Sequence, residues 1–461
     1  MESKLPKNWV DTEVGIISEI IRGITYNKLQ AKSIKKNDDY LVLRGGNIQD
    51  GKITTKTNDV VYVESNLVKE IQKIKKGDVV IVGSTGSKRL IGKAGIAKED
   101  FKEISFGAFL MLIRPSYLIN KTLFDYYFIS DNYRNVIREL AGGVNINNIR
   151  REYITNLNFP LPPLAEQQRI VAKLDTLFGS LDALKIRLNN IPQLIKNFKQ
   201  AVLTQAVTGK LTQEWRVGKE LEEWEETELI NLILQKPRNG YSPPGVNYIT
   251  EVKSLSLSAT TSGKFNASKV KYLDIEKPKN DSHLWLKKGD ILIQRSNSLD
   301  YVGTSAIYDG EDDDFIYPDI MMKIQVNEKI DNSYMNYVLS SSKIRTYYKD
   351  NATGTAGNMP KINQVVVSNT PICYPPKEEQ TEIVKRVENL FSKADAIENQ
   401  YKTLKEKIDR LPQAILAKAF KGELVAQLPT DGDAKDLLEE IKKLKESLVV
   451  KPKKKVVRNK K

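Results

Sequence analysis

The chain has 461 residues, with 72 lysines and arginines against 58 aspartates and glutamates, a length that predicts two or three domains. One cysteine, Cys373, and one histidine, His283, exclude an internal disulfide, a cysteine-based zinc site and a His-rich metal centre. The formal charge of +14 points to a polyanionic partner, but the last eleven residues, KPKKKVVRNKK, hold seven of those charges, so specific binding must come from arranged groups rather than bulk charge.

Residues 1–161 read as a mixed domain. The N-terminal MESKLPKNWV has neither an apolar core nor an Arg-rich amphipathic pattern, and no run approaches 18 apolar residues, so a soluble cytoplasmic protein is expected. Short β-branched and aromatic runs follow: YLVLRGGNI from Tyr40, GDVVIVGSTGS from Gly77 and FGAFLMLIRP from Phe106. LFDYYFISDNYRNVIREL, from Leu123, has helical spacing, and GGVNINNI from Gly142 reads as a loop.

Residues 162–211 change character. Apolar residues step by four and three in alternation (Ile170, Leu174, Leu177, Leu181, Leu184, Leu188, Ile191, Ile195, Phe198, Val202), which is a heptad seam. Pro163 suits the first turn and Gly209 the stop, giving a helix of about 45 residues, roughly 65 Å long. Pro192 should kink or break it.

The same order then returns. Residues 212–374 form a second mixed domain in which Trp224 and Thr227 match Trp9 and Thr12, and VKYLDI from Val270 matches the Tyr40 strand. KKGDILIQRSNS matches KKGDVVIVGSTGS, DIMMKIQV matches FLMLIRP, and YMNYVLSSSKIRTYY matches the Tyr126 helix. Residues 375–425 repeat the long helix without a gap: Ile383, Val387, Leu390, Ala394, Ile397, Tyr401, Leu404, Ile408, Leu411 and Ile415 make its seam, with Pro412 a second expected kink and Gly422 the stop. Two seams of equal length cover each other most simply by antiparallel pairing; the alternative is that each dimerises with another chain. Residues 426–461 are expected to hold a charged amphipathic helix from Lys435 and a basic tail, partly disordered.

Catalytic chemistry is not visible. In VGSTGSKRLIGKAG, five residues rather than four separate Gly86 from Gly92-Lys93, and Ala94 replaces the hydroxyl a phosphate loop needs for magnesium. Tyr241-Ser242-Pro243-Pro244-Gly245 lacks both ends of an amino-methyltransferase motif, Pro318-Asp319 lacks the later nuclease triplet, and one histidine cannot be argued into a Ser-His-Asp set.

Two mixed domains, each followed by a helix that begins PPLAEQQRIV or PPKEEQTEIV and ends AVLTQAVTGKL or AILAKAFKGEL, resemble the specificity subunit of a type I restriction-modification system. The likeness covers nearly all of residues 1 to 425 and is most specific at Leu161 to Gln167 and Tyr374 to Gln380. It implies an α+β chain with two target recognition domains, each reading one half of a split site in double-stranded DNA. It also implies two helices paired as an antiparallel coiled coil with pseudo-two-fold symmetry. No catalysis and no cofactor are implied for this chain. S-adenosylmethionine, ATP and magnesium belong to the partners, which are two modification (methyltransferase) subunits and, through them, restriction (translocase/nuclease) subunits; no membrane is involved. The helix length would then act as a ruler, one inserted heptad adding about 10 Å, or about three base pairs.

Residue type and loop position choose the candidate DNA contacts, since Arg, Lys, Asn and Gln read base edges and phosphates. They are Arg44, Asn47, Lys88, Arg89, Lys93, Asn145 and Asn147 in the first domain, and Lys264, Arg295, Asn297, Tyr301, Asn358 and Lys361 in the second. Glu166, Gln167, Glu379 and Gln380 are candidates for docking the modification subunits, and their first-turn position also suits capping and dipole complementarity. Two other classes stay open: an assembly adaptor that never contacts DNA, and a solitary nuclease or methyltransferase.

Overall fold

The computed structural model describes residues 5–36, 38–56, 60–142, 147–354 and 359–449. They fall into two compact units, Met1–Ile186 with Leu404–Lys461, and Arg187–Thr403. The division cuts each long helix rather than following the domain limits expected from sequence. Each unit therefore holds one mixed domain and a piece of both helices.

In the first unit an antiparallel sheet runs in the order Ser18–Arg22, Leu110–Pro115, Val79–Val82, Ala94–Ile96. Its central strands are apolar over Val79–Val82 and from Leu110 to Ile113 because both faces are covered there, and Arg114 at the end of the latter strand pairs with Asp78. Val79, Ile81, Met111 and Ile113 join the helical core, while Val80, Val82, Leu110 and Leu112 face Leu41, Leu43 and Phe106. The helices Lys121–Phe128 and Asp131–Leu140 start on Asn120 and Ser130, whose side-chain oxygens accept otherwise orphaned first-turn amides. Strand Val10–Glu13 pairs antiparallel with Asn158–Leu161, so the domain is closed just before the long helix begins.

The second unit repeats this plan. Its sheet runs Arg238–Asn239, Met321–Ile324, Ile291–Gln294, Ser305–Ile307, all antiparallel. Strand Glu225–Glu228 pairs with Pro371–Tyr374, and helices Asn332–Ser340 and Ser342–Asp350 follow the sheet. The Lys-Gly-Asp turns correspond: Asp78 accepts the Lys75 amide at 2.7 Å and Asp290 the Lys287 amide at 2.8 Å.

One expected match is wrong. The strand Tyr40–Leu43 lies parallel to Ile104–Phe106 and antiparallel to Tyr62–Val63. In the second unit Val252–Leu255 holds that place, with a parallel bridge from Ser254 to Ile316 and an antiparallel ladder to Val270–Leu273. VKYL therefore corresponds to Tyr62–Val63. Lysine and serine dilute the apolar signal of Val252–Leu255, and its burial is supplied by distant partners.

The first long helix runs Leu164–Asn189, breaks at Asn190, and resumes as Ile191–Val207 with Pro192 in the opening turn. The second is continuous, Lys377–Phe420, and Pro412 does not interrupt it; Ile408, Leu416 and Ala419 are buried on either side and hold the turns that the missing N–H weakens. Pro163 and Pro376 precede the helices, and their carbonyls accept the Gln167 and Gln380 amides at 2.9 and 3.1 Å. At the far end of the second helix the Gly422 amide donates to Ala419 O and Glu423 to Lys418 O, which satisfies the last carbonyls around a left-handed glycine.

Each unit joins the start of one helix to the end of the other in one core. Ile170 and Leu174 share a cluster with Leu416, Ala419 and Phe420, while Ile383 and Val387 share one with Val202, Leu203 and Ala206. At about 2 kcal/mol for each fully buried aliphatic side chain, these contacts anchor the helix ends. The seam is not covered along its whole length, as Leu184, Phe198, Ile397, Leu404 and Leu411 are exposed. The helix Ala434–Val449 buries Ala434, Leu437, Leu438 and Ile441 in the first unit's core; the basic tail lies outside the described residues.

Candidate nucleic-acid interface

The four first-turn residues expected to face a partner are fully buried, so that expectation is corrected. Gln167 Oε1 accepts the Asn120 amide at 2.9 Å and its Nε2 donates to Pro162 O at 2.8 Å. Gln380 does the same at the same place in the second unit, accepting the Asp331 amide at 2.7 Å and donating to Pro375 O at 2.9 Å. Each glutamine thus ties the long helix to the residue that caps the first helix of the domain before it. Glu166 accepts from Trp9 Nε1 at 2.9 Å and Gln427 Nε2 at 3.0 Å, whereas Glu379 accepts from Thr212 Oγ1 at 2.6 Å and from the Arg216 guanidinium. Buried carboxylates tolerate this setting only because donors surround them.

Away from these joints, both units bring two loops together in the same manner. In the first, the loop between Val79–Val82 and Ala94–Ile96 closes through Gly92 N to Val82 O at 2.8 Å. Its Ser84 and Thr85 pair with Asn148 and Asn147, and Ile149 N donates to Gly83 O at 2.8 Å. In the second, Gly303 N donates to Gln294 O at 2.7 Å and Ile362 N to Arg295 O at 2.9 Å, and Ser296 bridges to Lys361. The segment before each short third helix is thereby laid along the hairpin loop that follows the Lys-Gly-Asp strand.

This arrangement places Lys88, Arg89 and Lys93 with Asn147 in one unit, and Arg295, Asn297, Tyr301 and Lys361 in the other. Lys88, Arg89, Tyr301 and Lys361 are exposed and extend into solvent. Lys93 is half-buried, 3.7 Å from an Asp50 oxygen. Arg295 is half-buried, and its Nε has no partner among the described residues. Asn147 is buried and donates to Thr85 O at 3.3 Å; Asn297 is half-buried, donates to Gln294 Oε1 at 2.7 Å and accepts the Ser298 amide at 2.7 Å. These two amides shape their loops.

The remaining candidates are not gathered with these. Asn47 is buried, accepts the Arg44 amide at 2.7 Å and donates to Thr54 O at 2.8 Å, so it forms a turn beneath the exposed Arg44. Lys264 pairs with Asp395 on the second long helix at 3.0 Å, where Lys199 also binds at 2.6 Å. Asn145 and Asn358 lie outside the described residues. His283 is exposed with Nε2 3.3 Å from Asn239 O, and Cys373 is half-buried in its strand. Sequence reasoning missed Arg134 and Arg345, which reach these loops from below; the signal was a shared offset, Ser130 to Arg134 against Ser341 to Arg345.

One buried acid gives a pH-dependent expectation. Burial pushes the Asp125 carboxyl up to about 8, with Lys98 and Lys121 opposing, and its Oδ1 has no partner among the described residues. The folded chain keeps a proton that the unfolded chain releases near the ordinary value of 3.8, so this group's contribution to stability declines as pH rises from about 4 to about 8. Asp125→Asn should therefore raise the urea midpoint relative to the parent more at pH 8 than at pH 5. An equal difference at both values would show that the carboxyl is not held protonated.

Among the described residues no cluster of three His, Cys, Asp or Glu could hold a metal ion, and no helix is long and apolar enough to cross a membrane. Comparison with known proteins matches residues 6–193 and 247–406 to the family described as "Type I restriction modification DNA specificity domain". The chain is 37% identical over 449 residues to the type I restriction enzyme EcoKI specificity subunit of Escherichia coli (strain K12), covering 95% of this chain and 96% of that protein. It is 37% identical over 426 residues to the StySPI specificity subunit of Salmonella potsdam, covering 92% and 91%. The fold is similar to that of the HsdS subunit from Thermoanaerobacter tengcongensis, with a TM-score of 0.57 at 18% identity over 92% of this chain and 99% of the other. A chain from a structure of type I R-M system assembly gives a TM-score of 0.61 at 18% identity, over 91% and 99%.

Proposed function

Because this chain belongs to the type I restriction-modification DNA specificity family, we propose that it is the sequence-reading subunit of such an enzyme, each mixed domain reading one half of a two-part site in double-stranded DNA. The observation that carries this reading is the matched pair of loop assemblies. One backbone frame presents Lys88 and Arg89 in the first unit and Tyr301 and Lys361 in the second, so a common scaffold offers two different chemistries to base edges and phosphates.

In this reading the long helices pair antiparallel as a coiled coil with pseudo-two-fold symmetry, which the shared cores at their ends support. Modification subunits dock on the faces of the helices outside the seam, at exposed apolar side chains such as Ile186 and Leu194, since such residues on otherwise charged helices favour a protein partner. Restriction subunits join through them. The chain contributes recognition and not catalysis; S-adenosylmethionine, ATP and magnesium act in the partners, and the assembly works in the cytoplasm where the DNA is. Mapping methylated adenines in the genome that encodes the chain, with and without its gene, tests this. Loss of one bipartite motif with unrelated halves is expected, and an unchanged methylation map would remove the proposal.

A further inference from the structure

We infer that Arg134 and Arg345 are the positioning residues of the two recognition loops, each pinning its loop by a backbone carbonyl so that the side chains on that loop are free to differ. The inference rests on the reading of those loops as DNA-reading elements.

The observations come in pairs. Arg134, on helix Asp131–Leu140, donates from Nη2 to Arg89 O at 2.8 Å, and Arg345, on helix Ser342–Asp350, donates from Nη2 to Asp300 O at 3.0 Å. In each loop the pinned carbonyl lies three residues before a glycine in the left-handed region, Gly92 at φ +68° and Gly303 at φ +76°. The same two helices press on those glycines. A Cβ on Gly92 would fall 2.6 Å from Ile137 Cγ2, and one on Gly303 2.4 Å from Tyr348 Cδ2. The helix therefore fixes each loop at two points, by a charged donor and by a close apolar approach. Both arginines also keep Nη1 buried with no partner among the described residues, and burial pushes both below their usual value. A cation held in so unfavourable a place, twice, implies that what it holds is worth its desolvation.

What varies across the pin is the side chain. The pinned residue is Arg89 in one unit and Asp300 in the other, opposite in charge, and its neighbours are Lys88 and Leu90 against Leu299 and Tyr301. A bond to a carbonyl makes no demand on side-chain identity, so it can persist while the reading residues change. The two pins are thus expected to set specificity without touching a base.

The test uses the full chain assembled with its modification subunits. Arg134→Ala should relax one half of the methylated motif, reducing the preference for the cognate half over single mismatches by about tenfold, the scale of a lost charge-assisted hydrogen bond, while the other half stays as strict as in the parent. Arg345→Ala should do the reverse. Arg134→Lys and Arg345→Lys keep one donor and should recover part of the discrimination, and they serve if an alanine variant does not fold. Arg89→Asp keeps the carbonyl and should alter the choice of base in its half without relaxing it. A loss of affinity with both halves equally strict, or relaxation of both halves by one substitution, would overturn the assignment. A parent complex with no bipartite motif would instead overturn the recognition reading itself.

Discussion

Gln380→Ala should loosen the second unit and Gln167→Ala the first, each lowering the denaturant midpoint by the equivalent of about 2–3 kcal/mol, the cost of leaving buried polar groups unmade. Each glutamine is fully buried and satisfies the amide of a helix-capping residue on one side and a proline carbonyl on the other. Removing the side chain strands both, and no solvent reaches the site to replace them. The effect should also be local. In Gln380→Ala, amide exchange should accelerate over Asn332–Ser340 and Ser342–Asp350, the helices that follow the Asp331 cap, and stay at parent rates over Lys121–Phe128 and Asp131–Leu140. Exchange that rises equally in both sets, or in neither, would mean the glutamine is not the joint between helix and domain.

The same residues show where sequence is informative and where it stops. The repeat of Glu-Gln one turn into each helix is plain in the chain, but a first-turn position is exposed on a lone helix and only distant segments make it otherwise. Trp9, Asn120 and Gln427 close over Glu166 and Gln167 from three places in the chain, and periodicity carries no record of them. Apolar strands such as VVIV announce themselves because both faces are buried. Val252–Leu255 does not, since the parallel bridge from Ser254 depends on Ile316, 62 positions further along the chain, and so its counterpart was misassigned. At the loops, residue type chooses Lys88, Arg89, Tyr301 and Lys361, which the structure leaves exposed, whereas the burial of Asn47 and Asn147 follows from hydrogen bonds to Thr54 and Thr85 that composition cannot reveal. Arg134 and Arg345 were legible only by aligning the two halves of the chain at 211 residues.

Replacing residues 1–161 with the matching domain of another family member should change one half of the methylated motif and leave the other untouched. The cut is permitted by the ladder between Val10–Glu13 and Asn158–Leu161, both strands of which travel with the transplanted piece. It is constrained by what stays behind. Trp9 donates to Glu166 and lies against Gly422, while Tyr127 and Phe159 meet Phe420 edge-to-face with ring centroids 5.6 and 6.2 Å away. A donor domain must bring an indole and two aromatic rings to those places or the first unit's core opens, and a failed swap lacking them would report on packing rather than recognition. With them in place, the original half-site becomes a run of mismatches at about 1–3 kcal/mol each, so methylation at the old motif should vanish and a new one should appear sharing its second half. A motif that changes in both halves, or keeps both despite a folded chain, would break the assignment of one reader to one half-site.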